Sequence, residues 1–201
     1  MTAEAPGTGQ PLVVLVGPPA AGKSVVGTML AEYFGTAFVD TDTDVAAVAG
    51  KPVGDIFVED GEQAFRELER AAAERALAAR GAVVALGSGA VLDPAVQRLL
   101  AGQPVAYLAA GFTAIARRLG LDRPRVIIPG NPRGRLRSLL EERRPVYERL
   151  AAVTVASDEL APEEITDEIT AWLEQTPSQG PAPDGVPGPD GAPGPDGATA
   201  R

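Results

Sequence analysis

The chain contains no cysteine and no histidine in 201 residues. Without cysteine there is neither a disulfide scaffold nor a thiolate metal site. Without histidine there is no His-based catalytic triad and no His-ligated zinc. Positive charge is scarce too: 18 Lys and Arg against 27 Asp and Glu leave a net charge of −9, which argues against nucleic acid as the main partner. Arginines that bind an anion must therefore act locally. Apolar residues are too dispersed for a transmembrane helix. Residues 1–10 lack the basic and apolar regions of a secretory signal. The expectation is a cytoplasmic protein, a monomer, with no membrane or nucleic-acid partner.

What is present is periodic. Apolar runs at 12–16, 37–40, 82–86, 104–108 and 153–156 alternate with helical patterns at 22–34, 43–49, 61–80, 94–100, 113–118, 133–150 and 162–173. Such alternation predicts an α/β fold, a parallel sheet covered by helices on both faces with right-handed crossovers. Ligands in this architecture sit beyond the carboxyl ends of the strands. Residues 1–10 read as a flexible N-terminus and 11–174 as one folded domain. Within it, 119–132 is irregular, with three prolines and two glycines around Val126-Ile127-Ile128, and reads as a lid or a disordered loop. After residue 174, Gly185, Gly188, Gly191, Gly194 and Gly197 recur every third position with Pro and Asp between them. The period is that of collagen, but the run is too short to hold a triple helix alone. A disordered acidic tail over 175–201 is expected, with trimerisation as the minor alternative.

Gly17-Pro18-Pro19-Ala20-Ala21-Gly22-Lys23-Ser24 spells G-x-x-x-x-G-K-S between the first apolar run and a helix. This is the spacing of a phosphate-binding P-loop. Backbone N–H groups across Ala20, Ala21, Gly22, Lys23, Ser24 and Val25 are expected to face phosphate oxygens, aided by the helix dipole. Lys23 reaches the β- and γ-phosphates in this reading, and Ser24 places its hydroxyl on Mg²⁺. The alternative, a Gly/Pro turn with a chance lysine, leaves the flanking strand and helix unexplained.

The residues after the other strands extend the pattern. Asp40-Thr41-Asp42 offers one acid for Mg²⁺ or its water shell and one to take a proton from an attacking hydroxyl. Helix capping by Thr41 or Asp42 accounts for one of these residues, not for two acids. Phe65, Leu68 and Ala72 share a packing face, while Arg66 and Glu69 by spacing alone read as an ordinary surface ion pair. Gly87-Ser88-Gly89 lets backbone approach a ligand, or is a plain turn. Ten arginines crowd positions 117–149, and arginine suits bidentate anion contacts.

Taken together, GPPAAGKS, VDTD, DIFVEDGEQAFRELE, ALGSGAV and ERRPVYERLA, in that order, resemble the shikimate kinase family over about residues 12–173. The resemblance implies a P-loop NTPase-type three-layer α/β/α fold with a central five-stranded parallel sheet and a mobile lid at 119–132. It implies transfer of phosphate from ATP to the 3-hydroxyl of shikimate. Lys23 and Ser24 are then contacts to ATP phosphates and Mg²⁺, with Asp40 in the metal's outer shell. Asp42 binds acceptor hydroxyls and takes the proton. Arg66 and Arg143 grip the substrate carboxylate, supported by Glu69, and Gly87, Ser88 and Gly89 touch the ring. Arg118 flanks adenine. Counting without gaps from Arg117-Arg118 puts the lid arginine at Arg125; aligning on Arg-Pro would choose Arg123, and the ungapped count is preferred. Four departures stand out: Ala20 and Ser88 where the family has glycine, Val126 after Arg125 in place of proline, and Leu160 where an adenine-flanking arginine is often found. A kinase for another hydroxy acid such as gluconate, a nucleotide-binding regulatory protein without turnover, and a tail-organised scaffold are the rival readings.

Overall fold

A computed structural model describes residues 10–122 and 131–176. The N-terminal segment before residue 10, the centre of the expected lid with Arg123 and Arg125, and the Gly-Pro-Asp tail lie outside the described residues.

Five short strands form one parallel sheet: β1 (Val13–Val16), β2 (Phe38–Asp40), β3 (Val83–Ala85), β4 (Val105–Ala109) and β5 (Val153–Ala156), in the order β2-β3-β1-β4-β5. Val14 of β1 is registered with Val84 on one side and Val105 on the other. Strands so placed are covered on both faces and read as unbroken apolar runs. Their side chains alternate between two cores. Val13 and Leu15 pack with Val26, Leu30, Ile115, Leu136, Leu140, Ile165 and Ile169. Val14 and Val16 pack with Ala73, Ala76, Leu77, Val96, Leu100 and Tyr147.

The helices that supply these residues are α1 (Lys23–Phe34), α4 (Gly61–Leu77), α5 (Pro94–Leu100), α6 (Phe112–Arg118), α7 (Pro132–Leu150) and α8 (Pro162–Gln175). Two more, α2 (Thr41–Ala49) and α3 (Val53–Glu59), join α4 around a small core of Val45, Ile56, Phe65 and Ala72. The three-layer α/β/α arrangement expected from the alternation is the one observed.

Element boundaries differ from the sequence reading in instructive places. α2 starts two residues early because its N-cap is Asp40, whose carboxylate accepts from the Asp42 backbone N–H at 3.0 Å; neither Thr41 nor Asp42 is the cap. α3 was not expected. With seven residues and Ile56 alone buried, it is too short to display a helical stripe. α4 ends at Leu77, three residues before the anticipated stop at Arg80. α7 begins at Pro132, where proline is preorganised for the first helical position, and the Asn131 side chain accepts from the Gly134 N–H at 2.9 Å.

Candidate active site

α2, α5 and α7 each begin under a side-chain cap. α1, like α3, α4 and α6, does not: its N-cap is Gly22, which offers none. The first-turn N–H groups of α1 therefore stay available to an anion, and the positive end of the helix dipole points at the same place. The loop between β1 and α1 lines a cleft of about 350 Å³ together with Asp40, Asp42 and Ser88.

Lys23 lies under this loop. Its ammonium donates to the carbonyls of Gly17 and Pro18 at 3.0 and 3.1 Å. Burial is the main influence on it and brings its pKa down to about 8, against the opposing pull of Asp42 and Asp40. At neutral pH it is still a cation. Ser24 donates to Asp40 Oδ2 at 2.6 Å, so Asp40 holds the α2 terminus with one oxygen and Ser24 with the other. Ala20 is the one non-glycine residue with positive φ among the described residues, at 58°. Its carbonyl accepts from Arg118 at 3.1 Å, and a second Arg118 N–H reaches the Ser157 carbonyl. Ala21 is buried, with its N–H donating to the Pro18 carbonyl at 3.3 Å, and Val25 is exposed.

A second group surrounds the turn after β3. Arg66 donates to Glu69 at 2.7 Å and approaches Glu62 at 3.5 Å. The surface-pair reading of Arg66 and Glu69 fails, because Glu69 is only 4% exposed. Burial raises its pKa, with Arg66 pulling the other way. Two glycines let the site's side chains come close to the backbone. A Cβ on Gly87 would stand 2.6 Å from Asp42 Oδ1 and 3.2 Å from Glu69 Oε1; one on Gly89 would stand 2.5 Å from Arg66 Nη1. Asp42, Glu69 and Arg66 thus converge over this turn. Burial also pushes the Asp42 carboxyl up; Lys23 opposes the shift and Asp40 adds to it. Arg66, Glu69, Gly89 and Arg143 line a cleft of about 460 Å³. Ser88 and Gly89, neighbours in the chain, face the two clefts.

Sequence reasoning missed two residues here. Thr41, fully buried, accepts the Gly87 N–H on its hydroxyl at 2.8 Å. Tyr147 donates to the Ser88 carbonyl at 2.6 Å and stacks on Tyr107 with ring centroids 5.1 Å apart. Both stood inside quoted motifs, Thr41 between the two acids and Tyr147 one helical turn after Arg143, and that spacing was the available signal. Of the crowded arginines, Arg133 and Arg137 lie over the Phe112 ring at 5.2 and 4.6 Å, which makes them structural cation–π partners. Leu160 packs against the core.

A parallel sheet with an uncapped G-x-x-x-x-G-K-S helix at its central strand defines a P-loop nucleotide-binding protein. Beside that loop lies a small cleft where arginines meet the buried Glu69. The family model described as shikimate kinase matches residues 19–174, and the chain belongs to that family. The shikimate kinase of Thermobifida fusca is 50% identical over 164 residues, covering 82% of this chain and 95% of the relative. That of Streptomyces coelicolor is 47% identical over 156 residues, covering 78% and 91%. Among solved structures, shikimate kinase from Acinetobacter baumannii in complex with shikimate superposes with a TM-score of 0.75 at 29% identity, covering 84% of this chain and 94% of that one.

Proposed function

We infer that this protein transfers the γ-phosphoryl group of ATP to the 3-hydroxyl of shikimate, releasing ADP and shikimate 3-phosphate. The observation that carries the reading is the meeting of two unlike sites across one turn. A phosphate loop with a half-buried lysine lies on one side of Gly87–Gly89, and Arg66, Arg143 and Glu69 lie on the other. Membership of the family supports it, as does the shikimate held by the Acinetobacter relative.

In this reading the acceptor carboxylate lies on Arg66 and Arg143, which fixes the ring so that its hydroxyl faces the γ-phosphate. The hydroxyl oxygen forms the new bond to phosphorus while the bond from phosphorus to the bridging oxygen of ADP breaks. Asp42 receives the hydroxyl proton, and its raised pKa makes it a better base than an ordinary aspartate. Lys23 leaves the Gly17 and Pro18 carbonyls for phosphate oxygens, and a lid arginine, assigned as Arg125, offsets charge on the transferred group. Arg118 lies beside adenine. Ser24 and Asp40 suit Mg²⁺: they are hard oxygen donors already in contact. No cluster of three or more metal-binding side chains occurs among the described residues, in keeping with an ion that takes most of its shell from water and phosphate. When bound, the ion neutralises charge on the β- and γ-oxygens. No helix among the described residues is long and apolar enough to cross a membrane; we assign the cytoplasm as the compartment of action, where ATP is at hand as donor.

The test is ADP release with and without shikimate, beside a panel of acceptors including gluconate. Release should depend on shikimate, and Lys23→Ala should lower kcat by about a thousandfold or more. Shikimate-independent release, or near-parental turnover by Lys23→Ala, overturns the reading.

A further inference from the structure

The two arginines beside the turn after β3 are held in opposite ways. Arg66 is paired with carboxylates, Glu69 at 2.7 Å and Glu62 at 3.5 Å. Arg143 makes no ion pair within 4 Å among the described residues, and feels the Glu69 carboxylate only at longer range. The Ser88 hydroxyl accepts from Arg143 Nη1 at 3.1 Å, the Tyr147 hydroxyl lies close enough to feel the guanidinium, and the buried Arg143 Nε has no partner. A carboxylate in that place would orient the guanidinium and cancel part of its charge. A hydroxyl orients it and leaves the charge for an incoming anion.

Ser88 is itself immobilised. Tyr147, 1% exposed and one turn beyond Arg143 on α7, donates to the Ser88 carbonyl. Thr41 holds the preceding N–H. Position 88 is also where this turn has room for a side chain, because Cβ atoms at 87 and 89 would strike Asp42 and Arg66. We propose that Ser88 is a positioning residue for recognition of the acceptor's carboxylate: its hydroxyl presets Arg143 in a receptive orientation without neutralising it. The proposal rests on the reading of Arg143 as a carboxylate ligand. It assigns Ser88 a role through Arg143, not through contact with the ring.

Two measurements test it. The first needs no acceptor. In arginine side-chain NMR, the Arg143 Nε–Hε signal, identified by its loss in Arg143→Lys, should show restricted rotation about the Nε–Cζ bond in the parent and averaging in Ser88→Ala. The second compares shikimate with its methyl ester, which lacks the negative charge. Ser88→Ala and Ser88→Gly should raise KM for the acid by about three- to tenfold, since preorganisation is lost, with little change in kcat or in KM for the ester. Ser88→Thr, which keeps the hydroxyl, should restore acid preference. Equal Arg143 rotation in parent and Ser88→Ala, or equal effects on acid and ester, overturns the proposal. A parent that turns over neither compound overturns the functional reading instead, and the NMR comparison still decides the Ser88–Arg143 link.

Discussion

At the scale of single residues, the site is built from groups kept away from their ordinary chemistry. Lys23 is a cation whose pKa burial has brought to about 8, so the free enzyme loses that charge as pH rises through this value. The expected outcome is a fall in kcat/KM for ATP above about pH 8, whereas kcat persists to higher pH because bound phosphates favour the charged form. A pH profile of both parameters checks this; parallel alkaline limbs would contradict it. Ala20 is held left-handed, a conformation that costs an L-residue about 1–2 kcal/mol. The sequence reading singled out this position as one where alanine replaces the family's glycine, and the backbone shows the strain that the replacement leaves. Lys23 and Asp42 were legible from motif spacing, whereas Arg66 and Glu69 read by spacing as a surface pair and were picked out only by the family resemblance. Thr41 and Tyr147 were missed although they stand inside the motifs, because their partners lie 46 and 59 residues away and spacing within a motif does not say what a hydroxyl will bond.

At the scale of elements, the site depends on how strand ends meet helix starts. Asp40 shows the economy of this junction: it ends β2, caps α2 and meets Ser24 at the start of α1. Thr41 follows and ties α2 to the turn after β3. Thr41→Val keeps the shape but leaves the buried Gly87 N–H without an acceptor, which should cost about 1–3 kcal/mol in urea unfolding. An unchanged midpoint would show that the bond contributes nothing net. Strands, α1, α5 and α8 were readable from hydrophobic period, since each buries a face against a sheet core. α3 was not, because a seven-residue helix with one buried residue has no face to read. The identity of the α2 cap was also hidden: three capping-competent residues stand in a row at 40–42, and only the strand's end decides among them.

At the scale of the whole molecule, the order β2-β3-β1-β4-β5 puts the carboxyl ends of β1, β2 and β3 side by side, and the phosphate loop, the acids and the glycine turn follow from those three ends. The parallel sheet and a site at its carboxyl ends were legible from the alternation of strand and helix; the strand order was not, because alternation alone does not say which strands are neighbours. The last helix, α8, closes the described fold with Ile165 and Ile169 in the core. A chain cut after residue 176 should therefore keep its urea midpoint and its kcat, and should sediment as a monomer like the full chain. Faster sedimentation of the full chain alone would assign the glycine-repeat tail an assembly role.

One helix spans more of this molecule than its sequence suggests. The early turns of α7 bury Leu136 and Leu140 in one core, and its later turn buries Tyr147 in the other. With 19 residues it is about 28 Å long, a tie-beam bolted to both storeys of the building. The two storeys cannot slide past one another without wrenching the beam. Arg143 projects from this helix between the two anchorages, so its position is set by the packing of both cores.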